Sequence, residues 1–263
     1  MDVPCVVKPP DRQGQQGLTL VRDRAHLPEA VAQAVSASRT HVALVEELIE
    51  GPEVTVNAFS TGGEFHPLTV NDRLTAAEPA FGVALAHAWP SKHETDGAVE
   101  VAEAAAVALG IENGPTYTQV VLSPDGPKVM ELAARVGGGH DAELCLAALG
   151  IDLNGLALAA ALGEPVEIPD PKPVGGACVR FLVAPPGTLE SVEGIDEALA
   201  QEGILDARVY RRPGWIFTPL RRGADRAGFV LATGSSRNDA FAKADRAAEL
   251  IRFETADAEA LVP

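Results

Sequence analysis

Cysteine is scarce in this sequence: Cys5, Cys145 and Cys178 are three in 263 residues. Odd in number, widely separated and outside any CxxC spacing, they support neither a disulfide framework nor a cysteine-rich zinc site. They read as core residues, and the usage fits a reducing cytoplasm. Positive charge is short as well, with 21 Lys and Arg against 37 Asp and Glu and a formal charge of −16. Without a broad basic field the chain cannot neutralise a phosphodiester backbone, which excludes nucleic acid as a partner class. Long apolar runs are missing too. The most apolar stretch, Leu144 to Leu162, is broken by Gly150, Asp152, Asn154 and Gly155, so it reads as two buried helices and no bilayer span is expected. No basic segment followed by an apolar run opens the chain, so nothing argues for a signal peptide. What remains, 46% hydrophobic and 22% charged residues, is ordinary for folded protein and excludes general disorder.

The order of elements reads as α+β. A strand from Val3 to Val7 ends at Lys8-Pro9-Pro10, the loop Asp11 to Gly17 follows, and Leu18 to Val21 is a second short strand. Leu27, Ala30, Val31, Ala34 and Val35 then recur at helical spacing up to about Ser38. Val42 to Glu47 and Glu53 to Phe59 are strands joined through Glu50-Gly51-Pro52, and Thr61-Gly62-Gly63 turns the chain into another ending near Val70, so antiparallel pairing is expected. Asn71 to Pro90 lacks a clear period and reads as a long loop. Helices are expected over about Thr95 to Leu109, Asp141 to Ala148 and Asp152 to Leu162. Pro165, Pro169, Pro171 and Pro173 form a stiff linker to a small α+β module ending near Ile251.

Local geometry is most informative at Pro124-Asp125-Gly126, which separates two strand-like runs, Thr116 to Ser123 and Pro127 to Ala134. Proline presets φ for a type I turn, and glycine can take the left-handed position of a following bulge. With Ser123 opposite Pro127, counting back sets Gln119 across from Glu131. Side chains alternate along a strand, so Glu131, Ala133 and Arg135 share a face. An amide, an acid and a guanidinium are expected to converge there.

Two other clusters carry chemistry. Lys8 ends a buried strand just before a loop containing Gly14 and Gly17, so an ammonium and exposed backbone N–H groups can both reach a polyphosphate. Taken alone, the same residues also read as a strand-end charge and a turn. Glu46, Glu47, Leu48 and Ile49 followed by Gly51-Pro52-Glu53 make a hinge where backbone groups can read an adenine edge and a carboxylate can accept from ribose hydroxyls; as a solvated face the cluster is unremarkable.

Lysine strand, glycine loop, hinge and acidic hairpin, in that succession from Val3 to about Gly163, resemble the ATP-grasp superfamily. The resemblance implies that Lys8 contacts the α- and β-phosphates and that the Gly14 to Gly17 loop closes over the triphosphate. Glu46 to Ile49 would be the adenine hinge, Glu53 the ribose ligand, and Gln119 with Glu131 the holders of Mg²⁺, or of Mn²⁺ in its place. Two positions depart from the commonest pattern: Gln119 stands where an acid is usual, and Ala133 where many members carry asparagine. Glutamine at the first position is similar to carbamoyl-phosphate synthetase. Glu131-Leu132-Ala133-Ala134-Arg135 and the C-terminal runs Val179 to Leu182, Pro186-Gly187-Thr188 and Gly228 to Gly234 look like L-amino acid ligases.

By that resemblance residues 1–48 are part of a first subdomain, 49–165 a second with the metal hairpin, 166–174 a linker, and 175–255 a small C-terminal domain. The implied reaction is ATP-dependent joining of a small carboxylate to an amine through an acyl phosphate, with Lys8 and Arg135 on the transferring group. His87, Gly138, Gly139 and His140 fall in expected substrate loops, where His87, His140 and Arg73 also read simply as polar loop residues. Family members normally carry a substrate domain and a further lysine ahead of the Lys8 motif, so a missing N-terminal domain or partner chain, and a homo-oligomer, are among the expected associations. The alternative reading is a nucleotide-binding or structural remnant without turnover.

Overall fold

The structure, a computed structural model, describes residues 2–256. Its first layer is a small sheet in which β1 (Cys5–Lys8) lies between β2 (Thr19–Val21) and β3 (Leu44–Glu47), all antiparallel. Alternation splits its residues cleanly. Cys5, Val7 and Val21 face α1 (Leu27–Ala37) and bury against Ala30 and Ala34. Val6, Lys8, Leu44 and Glu46 face the other way, into the cleft described below.

The main sheet begins with β4 (Glu53–Thr61), β5 (Glu64–Thr75) and β6 (Ala84–Trp89). After α2 (Asp96–Ala108) come β7 (Gly114–Ser123) and β8 (Gly126–Ala133), then α3 (Asp141–Leu149), α4 (Leu153–Ala161) and β9 (Gly176–Leu182). β10 (Gly187–Glu193), α5 (Ile195–Leu199), β11 (Ile204–Val209), β12 (Ile216–Phe217), β13 (Gly228–Gly234), α6 (Arg237–Leu250) and β14 (Arg252–Ala256) complete the described chain. Eight strands join in the order β11-β13-β9-β6-β5-β4-β7-β8, every pair antiparallel, and β10 sits between β12 and β14 in a third sheet. Strands from the C-terminal third thus extend the sheet begun by β4. The segment carrying the prolines lies against the core through Val166 and Ile168. No single helix among the described residues is long and apolar enough to cross a membrane.

The expected loop from Asn71 to Pro90 is corrected. β5 runs on to Thr75 and Ala84–Trp89 is an interior strand, leaving only the short connection between them as loop. The reason is burial on both faces. Ala86 and Ala88 pack against Cys178, Ala232, Ala240 and Ala244 beneath α6, while His87 faces the opposite layer, so polarity does not alternate and alanine has low strand propensity. Gly51, at the hinge before β4, has φ +153° and packs so close to the Leu122 carbonyl that no side chain fits.

Candidate functional site

A cleft of about 570 Å³ lies between the small sheet and the main one. Its floor is the face of the main sheet that carries Glu53 on β4, Arg73 on β5, His87 on β6, Tyr117 and Gln119 on β7, and Glu131 on β8. Register explains the convergence: Glu53 pairs with Arg73, Arg73 with His87, and Gln119 with Glu131.

The Gln119–Glu131 pairing is as expected, but the chain reaches it differently. Ser123 pairs with Gly126, so the turn is the two residues Pro124 and Asp125, with Gly126 at φ +102°. That register alone would set Gln119 against Met130. A bulge between the pairs Gln119–Glu131 and Val120–Val129 absorbs Met130 and restores the alignment. The bulged Met130 presents its carbonyl to Lys8, whose Nζ donates to it at 3.3 Å and pairs with Glu46 at 2.6 Å.

Lys8, Gly14, Glu46, Leu48, Ile49, Glu53, His87, Gln119, Glu131, Arg135, Gly138 and Gly139 all line this cleft. Three of the expected residues do not. Glu47 falls on the other face of β3 by alternation and is exposed. Gly17, at φ +78°, packs against Pro9 and Ala37 and shapes the loop. His140 takes a left-handed conformation at the start of α3, stacks on Phe229 with centroids 3.6 Å apart and bonds Tyr210 Oη at 2.6 Å.

Glu53 reaches the cleft already paired, because Arg73 Nη1 holds its Oε2 while Nη2 donates to the Gly82 carbonyl at 2.8 Å. Gln119 Nε2 donates to Tyr117 Oη at 2.9 Å, which leaves the amide oxygen free. Arg135 lies over the Tyr117 ring at 5.9 Å. Burial, with the charge of Asp141 adding to it, pushes the Tyr117 hydroxyl above its ordinary range, so it stays protonated.

Asp141 organises the deep end. Fully buried, it accepts from Asn57 Nδ2 at 3.3 Å and from the Gly139 amide at 3.1 Å, and His87 Nδ1 lies 3.4 Å away. Burial would raise its carboxyl, yet His87, Asn57 and the Gly139 N–H together hold it below the usual carboxylate value. The chain must be bare here: a Cβ on Gly137 would strike Asp141 and Tyr117, and one on Gly139 would strike His87. Neither ring nitrogen of His87 has a hydrogen-bond partner among the described residues.

Sequence reasoning missed Tyr117, Asp141 and Arg226 as parts of this site and weighed Arg73 only as a loop residue like His87. Arg73 was hidden by the loop expectation. Arg226 arrives from the segment before β13, which touches the glycine loop where Gly223 N donates to Gly14 O at 3.0 Å. No local signal marks it.

Oxygen donors Gln119 and Glu131 suit a hard cation. Among the described residues no group of three or more His, Cys, Asp or Glu is arranged to hold a metal. The donor set therefore fits a cation shared with a ligand's own oxygens and not a self-sufficient protein site.

The ATP-grasp domain model matches residues 1–143, and the model for L-amino acid ligase C-terminal domain 2 matches residues 180–256. An uncharacterized protein of Sinorhizobium fredii, y4rH, is 30% identical over 95% of this chain and 52% of its own length. Dapdiamide A synthase of Enterobacter agglomerans is 26% identical over 52% of this chain and 34% of its own. The chain thus spans about half the length of the first relative and about a third of the second. The crystal structure of L-amino acid ligase from Bacillus licheniformis superimposes with a TM-score of 0.82 at 24% identity, covering 98% of this chain and 64% of that one.

Proposed function

Because the chain belongs to the ATP-grasp family, we propose that its cleft binds Mg²⁺-ATP and activates a carboxylate for attack by an amine, as a carboxylate-amine ligase. The observation that supports this best is the convergence of Lys8, the Gly14 loop, the Gln119–Glu131 pair and Arg135 on one cavity. In this reading Leu48 and Ile49 form an apolar wall for adenine, and hinge backbone groups, those of Glu46 and Glu47 included, read its edge. Glu53 keeps one carboxylate oxygen for the ribose, its other being held by Arg73. Lys8 exchanges its contacts with Glu46 and Met130 for the α- and β-phosphates, and Gly17 sets the shape of the closing loop. Gln119 and Glu131 would hold Mg²⁺, or Mn²⁺ in its place, whose charge offsets that of the phosphate oxygens.

The chemistry follows from leaving groups. A carboxylate resists amines because oxide leaves poorly. Its oxygen attacks the γ-phosphorus, the bond to the bridging oxygen breaks, and ADP departs with that electron pair. The amine nitrogen adds to the carbonyl carbon of the acyl phosphate. The carbon–oxygen bond to phosphate breaks, and loss of a proton from nitrogen leaves an amide and inorganic phosphate. Lys8 and Arg135 stabilise charge on the transferring group. His87, Gly138 and Gly139 border the substrate, and His140 takes part only by opening α3.

Carboxylate oxygen labelling tests this. With ATP, Mg²⁺ and a mixture of ¹⁸O-carboxylate amino acids including aspartate and glutamate, one label should appear in inorganic phosphate. Label in AMP, or ADP formation that ignores the acids, would contradict the acyl phosphate. A second reading, nucleotide binding without turnover, is favoured by a hairpin with a single anionic donor and by Ala133 where a further oxygen donor is usual. Tight ATP binding with no ADP formation would select it.

A further inference from the structure

Positive charge is unevenly spread along this chain. Six of its 21 Lys and Arg fall between Arg208 and Arg226, where the only acid is Asp225, although the formal charge of the whole is −16. The segment runs from the end of β11, through β12, to the loop before β13, and most of it is exposed. Asp206 pairs with Arg208 at 2.8 Å and Asp225 with Arg222 at 3.1 Å, which leaves Arg211, Arg212 and Arg221 without a carboxylate partner among the described residues. Apolar groups are interleaved with them: Tyr210, Trp215 and Ile216 are 37%, 48% and 51% exposed. Local bonds gather these residues onto one surface. Trp215 N donates to Arg212 O at 3.1 Å, and the Arg211 guanidinium lies over the indole at 4.3 Å with its Nη2 3.5 Å from the Ala224 carbonyl. Asp225 accepts from the Arg221 amide at 3.1 Å. Ala224 also lines the cleft, so the surface adjoins the cleft without forming part of its wall.

Tryptophan, tyrosine and arginine are the residue types that carry most of the energy at protein interfaces, and an indole already held by a guanidinium has little freedom left to lose on binding. We propose that this surface docks a short acidic segment of another polypeptide, its carboxylates on Arg211, Arg212 and Arg221 and an apolar side chain against Trp215 and Ile216. Charge complementarity selects that occupant. A nucleic acid or an anionic membrane would meet the same arginines, but either extends past them over a chain that is otherwise strongly acidic and repels it there. A short segment ends before that repulsion begins. A second copy of the chain carries the same charge of −16, and Pro213 and Pro219 flank the edge strand β12, which blunts it against strand pairing. The docking needs no chemistry in the cleft, so it stands or falls apart from the ligase reading.

The test is fluorescence anisotropy on the full chain. The probe is a labelled short peptide of alternating glutamate and leucine, set against a glutamine–leucine and a glutamate–serine counterpart of equal length. Expected is saturable binding at least about tenfold tighter than either counterpart, weakening by at least about threefold from low to physiological ionic strength, as exposed charge pairs do. Arg212→Gln combined with Arg221→Gln, both exposed, should lower affinity at least about fivefold and flatten the salt dependence. Trp215→Ala should lower it about tenfold and keep most of that dependence. Equal affinity for either counterpart peptide, or variants that bind as tightly as the wild type, would overturn the proposal. So would a labelled DNA duplex or phosphatidylserine vesicles bound at least as tightly as the peptide, or dimerisation that the double substitution abolishes, since these assign the surface to nucleic acid, membrane or a second copy. Release of the peptide by saturating ATP would place it in the cleft and overturn the proposal as well.

Discussion

Replacing Asp141 with alanine tests whether the deep end of the cleft is held by one buried carboxylate. The substitution removes acceptors for Asn57 Nδ2 and the Gly139 amide and the charge facing His87. Charge-assisted hydrogen bonds contribute about 1.5–3 kcal/mol each, and the several kcal/mol that desolvating the carboxylate costs is recovered when it is deleted. The expected net loss is about 3–5 kcal/mol, as when one member of a buried charged pair is removed. That is a large part of the roughly 5–15 kcal/mol that keeps a domain folded. Asp141→Asn keeps the shape but turns a donor toward Asn57 or Gly139 and should cost about 1–3 kcal/mol. Urea unfolding at pH 7 reads both, with an unchanged dependence on urea marking a change in stability alone. The pH dependence has a definite sign. The folded carboxyl titrates below its ordinary value of 3.8, so its stabilisation is complete above that pH and is lost as pH falls through the folded value. The gap between wild type and Asp141→Asn should therefore narrow below pH 3.8. A loss under about 1 kcal/mol for Asp141→Ala at pH 7, the scale of a surface change, would refute the idea that this carboxylate holds Gly139 and His87 in place.

Burial pushes the Cys145 and Cys178 thiols up to about 12, so neither should react with Ellman's reagent in the native chain at pH 8, and both should react in guanidinium. Gly51→Ala should destabilise by about 1–3 kcal/mol, the cost of overpacking, because the Leu122 carbonyl fills the space a side chain needs; a melting temperature equal to wild type would show that the hinge can move. In an active assembly Glu131→Ala should abolish metal-dependent turnover, whereas Arg135→Ala should lower kcat and spare nucleotide affinity. Equal small losses from both, with Mg²⁺ dependence unchanged, would mean that this face is structural.

What could be read from the sequence was local. A proline-glycine turn, a hinge glycine and helical spacing each act within a few residues, and they located the hairpin, the hinge and most helices. Even the correct Gln119–Glu131 pairing depended on two irregularities that offset each other, a turn one residue shorter than expected and a bulge at Met130. The alanine-rich strand β6 was not legible, since a strand covered on both faces loses the alternation that identifies it. Arg73 was hidden with it. Asp141 and Arg226 act through partners more than forty residues away, Asn57 and Ala84, and only the folded sheet brings them together. Glu47, Gly17 and His140 were drawn in by proximity along the chain, where alternation and a left-handed turn direct them elsewhere.

The most direct test of the site is titration calorimetry of ATP into the full chain, with and without Mg²⁺, for the wild type, Gln119→Ala, Glu131→Ala and Lys8→Met. The cleft described here should bind one ATP per chain, with affinity that Mg²⁺ raises in the wild type. That gain should shrink in Gln119→Ala and vanish in Glu131→Ala, while Lys8→Met should weaken ATP in both conditions. An affinity indifferent to all three substitutions, or a Mg²⁺ gain that survives Glu131→Ala intact, would contradict the assignment of this cleft to Mg²⁺-ATP.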